Sequence, residues 1–226
     1  MKTVIRETDQ MYDAAAEQIR SLLQAKPDAV LAVAAGRTML PLWKRLGDVS
    51  FAKARLFQVA EFIGAPEEKT LRRMTEEGLL ACTDLKPENC SWLSEEALAG
   101  YDAMIDEAGG LDLAILGIGD NAHIGFNEPA TQYDTRSRKQ KLTNPTRAQY
   151  TWLFGDAESV PEYGLTMGIH TLVDARQVMV LASGEEKAKP VFDMLYARDD
   201  SIIPAAFLQL PPDVTVYADT DAAKKL

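Results

Sequence analysis

Apolar residues at three- and four-residue spacing, Tyr12, Ala15, Ala16, Ile19, Leu22 and Leu23, predict a first helix with one apolar face. Lys26-Pro27-Asp28 ends it. An unbroken apolar run from Ala29 to Ala34 then meets Gly36, the pattern of a buried parallel strand leaving its sheet. The same patterning predicts a helix from about Met39 to Leu46, a strand over Arg55 to Val59, and helices over Thr70 to Ala81 and Glu95 to Ala108. Leu111 to Leu116 reads as a central strand, Gln177 to Ala182 as another, Glu185 to Tyr196 as a helix and Val214 to Tyr217 as a last strand. Strands alternating with helices imply an α/β fold: a mostly parallel twisted sheet with helices on both faces, Rossmann-like, in a single domain over residues 1–226.

One segment departs from the rhythm. Residues 121–156 are polar, rich in Asn, Thr, Arg and Lys, and show no sustained periodicity. Long irregular segments inside compact folds are uncommon and often functional. This one begins where the strand Leu111 to Leu116 ends, and open α/β sheets bind ligands beyond the carboxyl ends of their strands.

Composition narrows the partners. The 226 residues are 46% hydrophobic and 26% charged, values of a folded, water-soluble chain. A net charge of −10, from 34 acidic and 24 basic residues, repels nucleic acid and anionic lipid but leaves room for a small anion held by local donors. Cys82 and Cys90 lack a CxxC spacing and a histidine that would complete a zinc set, so no metal site is expected. The N-terminal stretch carries charges throughout and no apolar run reaches the ~20 residues of a membrane span, which points to the cytoplasm.

Three strand ends offer chemistry. The first, Gly117 to Pro129, holds one of the chain's two histidines, His123, with Asn121 and Glu128 nearby. A His and a Glu close together can share proton transfer at a sugar ring oxygen; alternatively, His and Asn merely satisfy backbone groups of a glycine-rich loop. At the second, Gly36, Arg37 and Thr38 precede a helix and could hold a phosphate, or Thr38 could be a plain N-cap. At the third, Ser183 to Lys187, Lys187 could reach an anion or simply be solvated. Arg136, Arg138, Lys139, Lys141 and Arg147 concentrate positive charge as either a phosphate-attracting rim or a loop balancing nearby Asp and Glu.

The string Leu111 to Gly119 followed by Asn121-Ala-His-Ile-Gly-Phe-Asn-Glu-Pro129 resembles the glucosamine-6-phosphate deaminases (isomerases), which share a fold with the 6-phosphogluconolactonases. The lactonase branch normally carries Ala-Ser-Leu-Phe-Pro after the histidine, so Phe126-Asn-Glu-Pro129 favours the amino-sugar branch, with a lactone hydrolase as an alternative. Leu142-Thr143, Thr146-Arg147, Val160 to Arg176, Gly184 to Lys187 and Phe207 to Leu210 also resemble family strings. The resemblance implies an amino-sugar 6-phosphate substrate, release of ammonia and a ketohexose 6-phosphate, and no metal or organic cofactor. It leaves room for a homo-oligomer. By it, His123 with Asn121 and Glu128 opens the sugar ring, while Gly36, Arg37, Thr38, Arg147 and Lys187 bind phosphate or substrate.

The resemblance also exposes departures. The family's enolisation base is an Asp in an Asp-Glu-Tyr/Phe string, and here the string is Ala60-Glu61-Phe62. A methyl group abstracts no proton, so the base is altered or lost, or Glu61 or Asp120 supplies a carboxylate instead. Neighbours on a strand face opposite ways, so Glu61 takes the place of Ala60 only at a strand end or bulge. The family's phosphate turn, Thr/Ser-Gly-Gly-Thr/Ser-Pro, is Ala35 to Met39, and the arginine of an Arg-Phe-Phe string is Trp152, for which Arg37 could compensate. A sugar-phosphate-binding protein without turnover is therefore a further alternative.

Overall fold

In the computed structural model, which describes residues 1–197 and 202–226, seven strands form one parallel sheet. They are β1 (Lys2–Arg6), β2 (Val30–Val33), β3 (Arg55–Gln58), β5 (Cys90–Ser91), β6 (Leu113–Gly117), β9 (Gln177–Ala182) and β10 (Val214–Asp219), in the order β1-β10-β9-β6-β2-β3-β5. Every pairing in this sheet is parallel. A second, antiparallel sheet joins β4 (Ala60–Phe62), β8 (Tyr163–Thr166) and β7 (Arg138–Lys141), with β8 in the middle. The helices are α1 (Thr8–Ala25), α2 (Leu40–Trp43), α3 (Leu71–Thr75), α4 (Tyr101–Glu107), α5 (Asn144–Gln149), α6 (Thr151–Phe154), α7 (Ile169–Val173) and α8 (Ala188–Tyr196). No helix among the described residues is long and apolar enough to cross a membrane.

The period of two in the strands builds a core on each face of the large sheet. Val30 and Ala32 of β2, Ala114 and Leu116 of β6, and Val178 and Val180 of β9 join one cluster with α4, α7 and α8. Leu31 and Val33, Leu113 and Ile115, and Met179 and Leu181 join the other with α1 and α2. Both faces are thus covered, which is why these strands are apolar throughout rather than alternating. Between β2 and β6 the strand order reverses, and a crevice opens beyond their carboxyl ends.

Several elements differ from the sequence reading. β1, an edge strand with mostly exposed residues, lacks any apolar alternation that would announce it. The helix expected over Thr70 to Ala81 is α3 followed by a π-helical stretch, Glu76–Leu80, in which Gly78 admits Trp43: a Cβ there would sit 2.2 Å from its ring. The helix expected over Glu95 to Ala108 contracts to a 3₁₀ turn, Leu98–Gly100, and α4. That expected from Met39 is a 3₁₀ turn, Arg37–Met39, leading into α2. Residues 121–156 are not wholly irregular, since β7, α5 and α6 lie within them.

Candidate active site at three strand ends

β9, β6 and β2 are neighbours, so the segments after them converge on a cavity of about 370 Å³. Its lining includes Ala34 to Met39 after β2, Gly117 to Gly119 and His123 after β6, and Ser183, Glu186 and Lys187 after β9. Ala60, Leu71, Tyr150 and Trp152 also line it.

His123 is buried, and its surroundings dictate which nitrogen carries a proton. The Glu128 carboxylate can only accept, and Asn121 Nδ2 donates to its Oε2 at 3.0 Å. This turns Asn121 Oδ1 toward the imidazole, where it lies 2.6 Å from His123 Nδ1. An amide oxygen also only accepts, so the proton sits on Nδ1 and the lone pair on Nε2. The rest of Glu128 is held by the Thr143 N–H at 2.9 Å and its hydroxyl at 3.0 Å, and the Thr146 hydroxyl lies 3.2 Å from Nδ1. Burial, the largest influence, pushes the His123 imidazolium down to about 4; Glu128 and Asp120 pull upward, and Lys187 pushes further down. The ring is therefore neutral near pH 7.

Backbone geometry presses this ring into place. A Cβ on Gly119 would sit 2.2 Å from His123 Cε1, so only glycine lets the strand end pass the imidazole. Ala122, between Asn121 and His123, adopts φ 59°, a left-handed conformation that costs a non-glycine residue about 1 kcal/mol. Asn127 fixes the next turn by donating to the Ile124 and Met167 carbonyls and accepting from Arg138.

The phosphate candidates separate. Gly36, Arg37 and Thr38 line the cavity, and the 3₁₀ turn there has no side-chain cap, so Thr38 is not serving as an N-cap. The Arg37 guanidinium lies 5.5 Å from the centre of the Trp152 ring, and no ion pair engages it among the described residues. Lys187 is only 6% exposed and pairs with Asp120 at 2.5 Å. Arg147 is absent from the lining; it donates to the carbonyls of Glu158 and Val160. Arg138 bonds Asn127, Thr131 and Gln140, Lys139 pairs with Glu95, and Arg136 lies 3.9 Å from Asp174, so much of this positive charge is balanced within its own loop.

Ala60 lines the cavity, but Glu61 does not. Both Glu61 oxygens are occupied: Oε1 accepts from the N–H groups of Phe62 and Leu71 at 2.8 and 2.9 Å, and Oε2 from the Arg72 N–H and Gln58 Nε2, each at 2.8 Å. This carboxylate ties β4 to the start of α3. Asp120 is likewise engaged, by Lys187. Neither stands beside Ala60 as a free carboxylate.

Sequence reasoning missed Thr143 as a support for Glu128, although Thr143-Asn-Pro is an N-cap signature and the hydroxyl does cap α5. It also missed Asp219 at the end of β10, which receives the Ser183 hydroxyl at 2.6 Å and the Gly184 N–H at 3.1 Å and so fixes one wall of the cavity. Although burial raises the Asp219 pKa, these bonds with those from Ala222 and Thr8 hold it below the ordinary value.

A parallel sheet whose strand ends bring a neutral histidine, a carboxylate tied to it and cationic side chains around a crevice of this size makes this the candidate site for a small ligand on an α/β scaffold. Residues 6–217 match the family model of glucosamine-6-phosphate isomerases/6-phosphogluconolactonase, and the chain belongs to that family. It is 40% identical to the glucosamine-6-phosphate deaminase of Streptomyces coelicolor, over 93% of this chain and 87% of that one. It is 34% identical to that of Clostridioides difficile, over 99% and 95%. A solved monomeric glucosamine-6-phosphate deaminase superposes with a TM-score of 0.95 at 30% identity, over the whole of both chains. A 6-phosphogluconolactonase from Thermotoga maritima shares the fold, with a TM-score of 0.76 at 23% identity over 96% of this chain and 98% of that one.

Proposed function

We propose that the chain binds an amino-sugar 6-phosphate and opens its ring by the deaminase route, with the subsequent transfer of the C2 proton impaired. The observation that carries this is the contrast inside one cavity: a neutral His123 in a complete relay, and the Ala60 methyl where the resemblance implies a base. The named relatives, glucosamine-6-phosphate deaminases, support the substrate class. Thr38, Arg37 and Lys187 are the phosphate partners in this reading. Arg37 is the readier cation, because an indole neutralises none of its charge while Lys187 already faces Asp120.

In ring opening, Nε2 of His123 takes the proton of the anomeric hydroxyl and returns it to the ring oxygen. Glu128, through Asn121, steadies the positive charge that the imidazole carries in between. The amide cannot ionise, so it orients and polarises without trapping the proton. Isomerisation then requires a base at C2, which this site supplies poorly.

Ammonia release from glucosamine 6-phosphate, measured for the unmodified protein beside Ala60→Asp, tests the reading. A gain of about 10²-fold or more in the variant is expected. Equal release by both proteins would show that another group performs the step.

A further inference from the structure

The cavity holds few groups able to move a proton at neutral pH. Tyr12 and Tyr150 are phenols whose pKa values burial raises, Arg37 is a permanent cation, and Lys187 is paired with Asp120. Glu186 is the one lining carboxylate among the described residues, and it follows β9. Ala60 follows β3, which β6 and β2 separate from β9 in the sheet, so the two enter the cavity from different strand ends. Ala60 and Leu71 give the lining apolar side chains, and the Glu61 carboxylate is withdrawn from it into four hydrogen bonds. Besides Glu186, what remains is a neutral imidazole whose Nε2 has no hydrogen-bond partner among the described residues.

One such base suits one kind of sugar chemistry. We infer that the protein catalyses the interconversion of the α and β anomers of hexose 6-phosphates, as a completed reaction rather than a prelude, with His123 as the proton carrier. The inference rests on the sugar-phosphate reading above. Nε2 takes the proton from O1; the O1–H electron pair becomes the second bond of the C1 carbonyl; the C1–O5 bond breaks with its pair left on O5, which receives the proton from Nε2. Rotation about C1–C2 turns the other face of the carbonyl to O5. Attack of O5 on that face, with the proton passing back through Nε2 to O1, closes the opposite anomer. No atom is gained or lost, and no electron leaves the sugar. O1 and O5 are both bonded to C1, so one nitrogen serves both, and nothing is asked of the wall at Ala60.

Exchange NMR on the anomeric protons of glucosamine 6-phosphate in D₂O, near neutral pH, tests this. The exchange rate is expected to rise in proportion to protein, to fall by at least about 10²-fold in His123→Gln, and to leave hydrogen at C2 undeuterated. Glu128→Gln, nearly the same shape, removes the carboxylate that holds the His123 pKa up and is expected to shift the acid limb of the pH–rate profile downward. That readout stands even if His123→Gln folds poorly. Saturable binding of the sugar without faster exchange would overturn the anomerase while sparing the sugar-phosphate site. Absence of binding would overturn the site reading itself. Acceleration that His123→Gln leaves intact, an unshifted Glu128→Gln profile, or deuterium entering C2 with the unmodified protein would each overturn the assignment to a single imidazole.

Discussion

The carboxyl ends of β6 and β3 use the same residue type in opposite ways. Beyond β6, Glu128 is buried yet faces the site through Asn121, so its charge is felt at His123. Beyond β3, Glu61 is equally buried, but its oxygens are spent on Gln58 and on the amides of Phe62, Leu71 and Arg72. Next to it Ala60 turns a methyl toward the cavity. Adjacency in sequence therefore does not make Glu61 a substitute for a base at 60: on a strand, one residue's shift is a change of face. In the function proposed above, the scaffold keeps one chemical step while giving up the next.

The comparison is most sharply broken at the histidine. His123→Gln keeps a polar side chain but no titratable nitrogen, and a loss of about 10²–10⁴-fold in ring opening is expected, read by anomer exchange. Next in size is Ala60→Asp, expected to raise ammonia release by about 10²-fold or more without changing the rate of anomer exchange. Glu61→Gln probes the other side: the amide cannot accept all four bonds as the carboxylate does, so a loss of about 1–3 kcal/mol in urea denaturation is expected, with ammonia release per folded molecule unaltered. A fall in release with unchanged stability would instead make Glu61 the working base.

Two smaller effects distinguish the β6 end. In the unfolded chain histidine protonates near ~6.5, whereas His123 in the fold protonates only near about 4. Between these values the unfolded state binds more protons, so stability declines as pH falls through that window and this decline ends below it. Urea midpoints from pH 7 to 4 are expected to show the slope, and His123→Gln to remove this contribution. Smallest is Ala122→Gly, which relieves the left-handed strain at φ 59° but adds freedom to the unfolded chain; a gain of no more than about 1 kcal/mol is expected by the same measurement.

Much of the scaffold was legible because the central strands are buried on both faces and so spell themselves as apolar runs bounded by turns. β1 was not, since an edge strand with exposed residues carries no such signature. β4, β7 and β8 escaped for another reason: their pairing is long-range, Ala60 with Thr166 and Arg138 with Thr166, and no local pattern encodes a partner about 30 to 100 residues away. In the site, Asn121, His123 and Glu128 stood out through one compact motif. The second tier did not, because a threonine supporting a carboxylate or an aspartate pinning a glycine turn looks in sequence like any surface cap. The stacking of Arg37 on Trp152 joins segments more than a hundred residues apart, and only the fold shows it.

The separation of ring opening from C2 chemistry is tested most directly by incubating the unmodified protein and Ala60→Asp with glucosamine 6-phosphate in D₂O and following deuterium at C2. Deuterium is expected to enter only with Ala60→Asp, while both proteins accelerate anomer exchange. Equal incorporation by both would contradict the account.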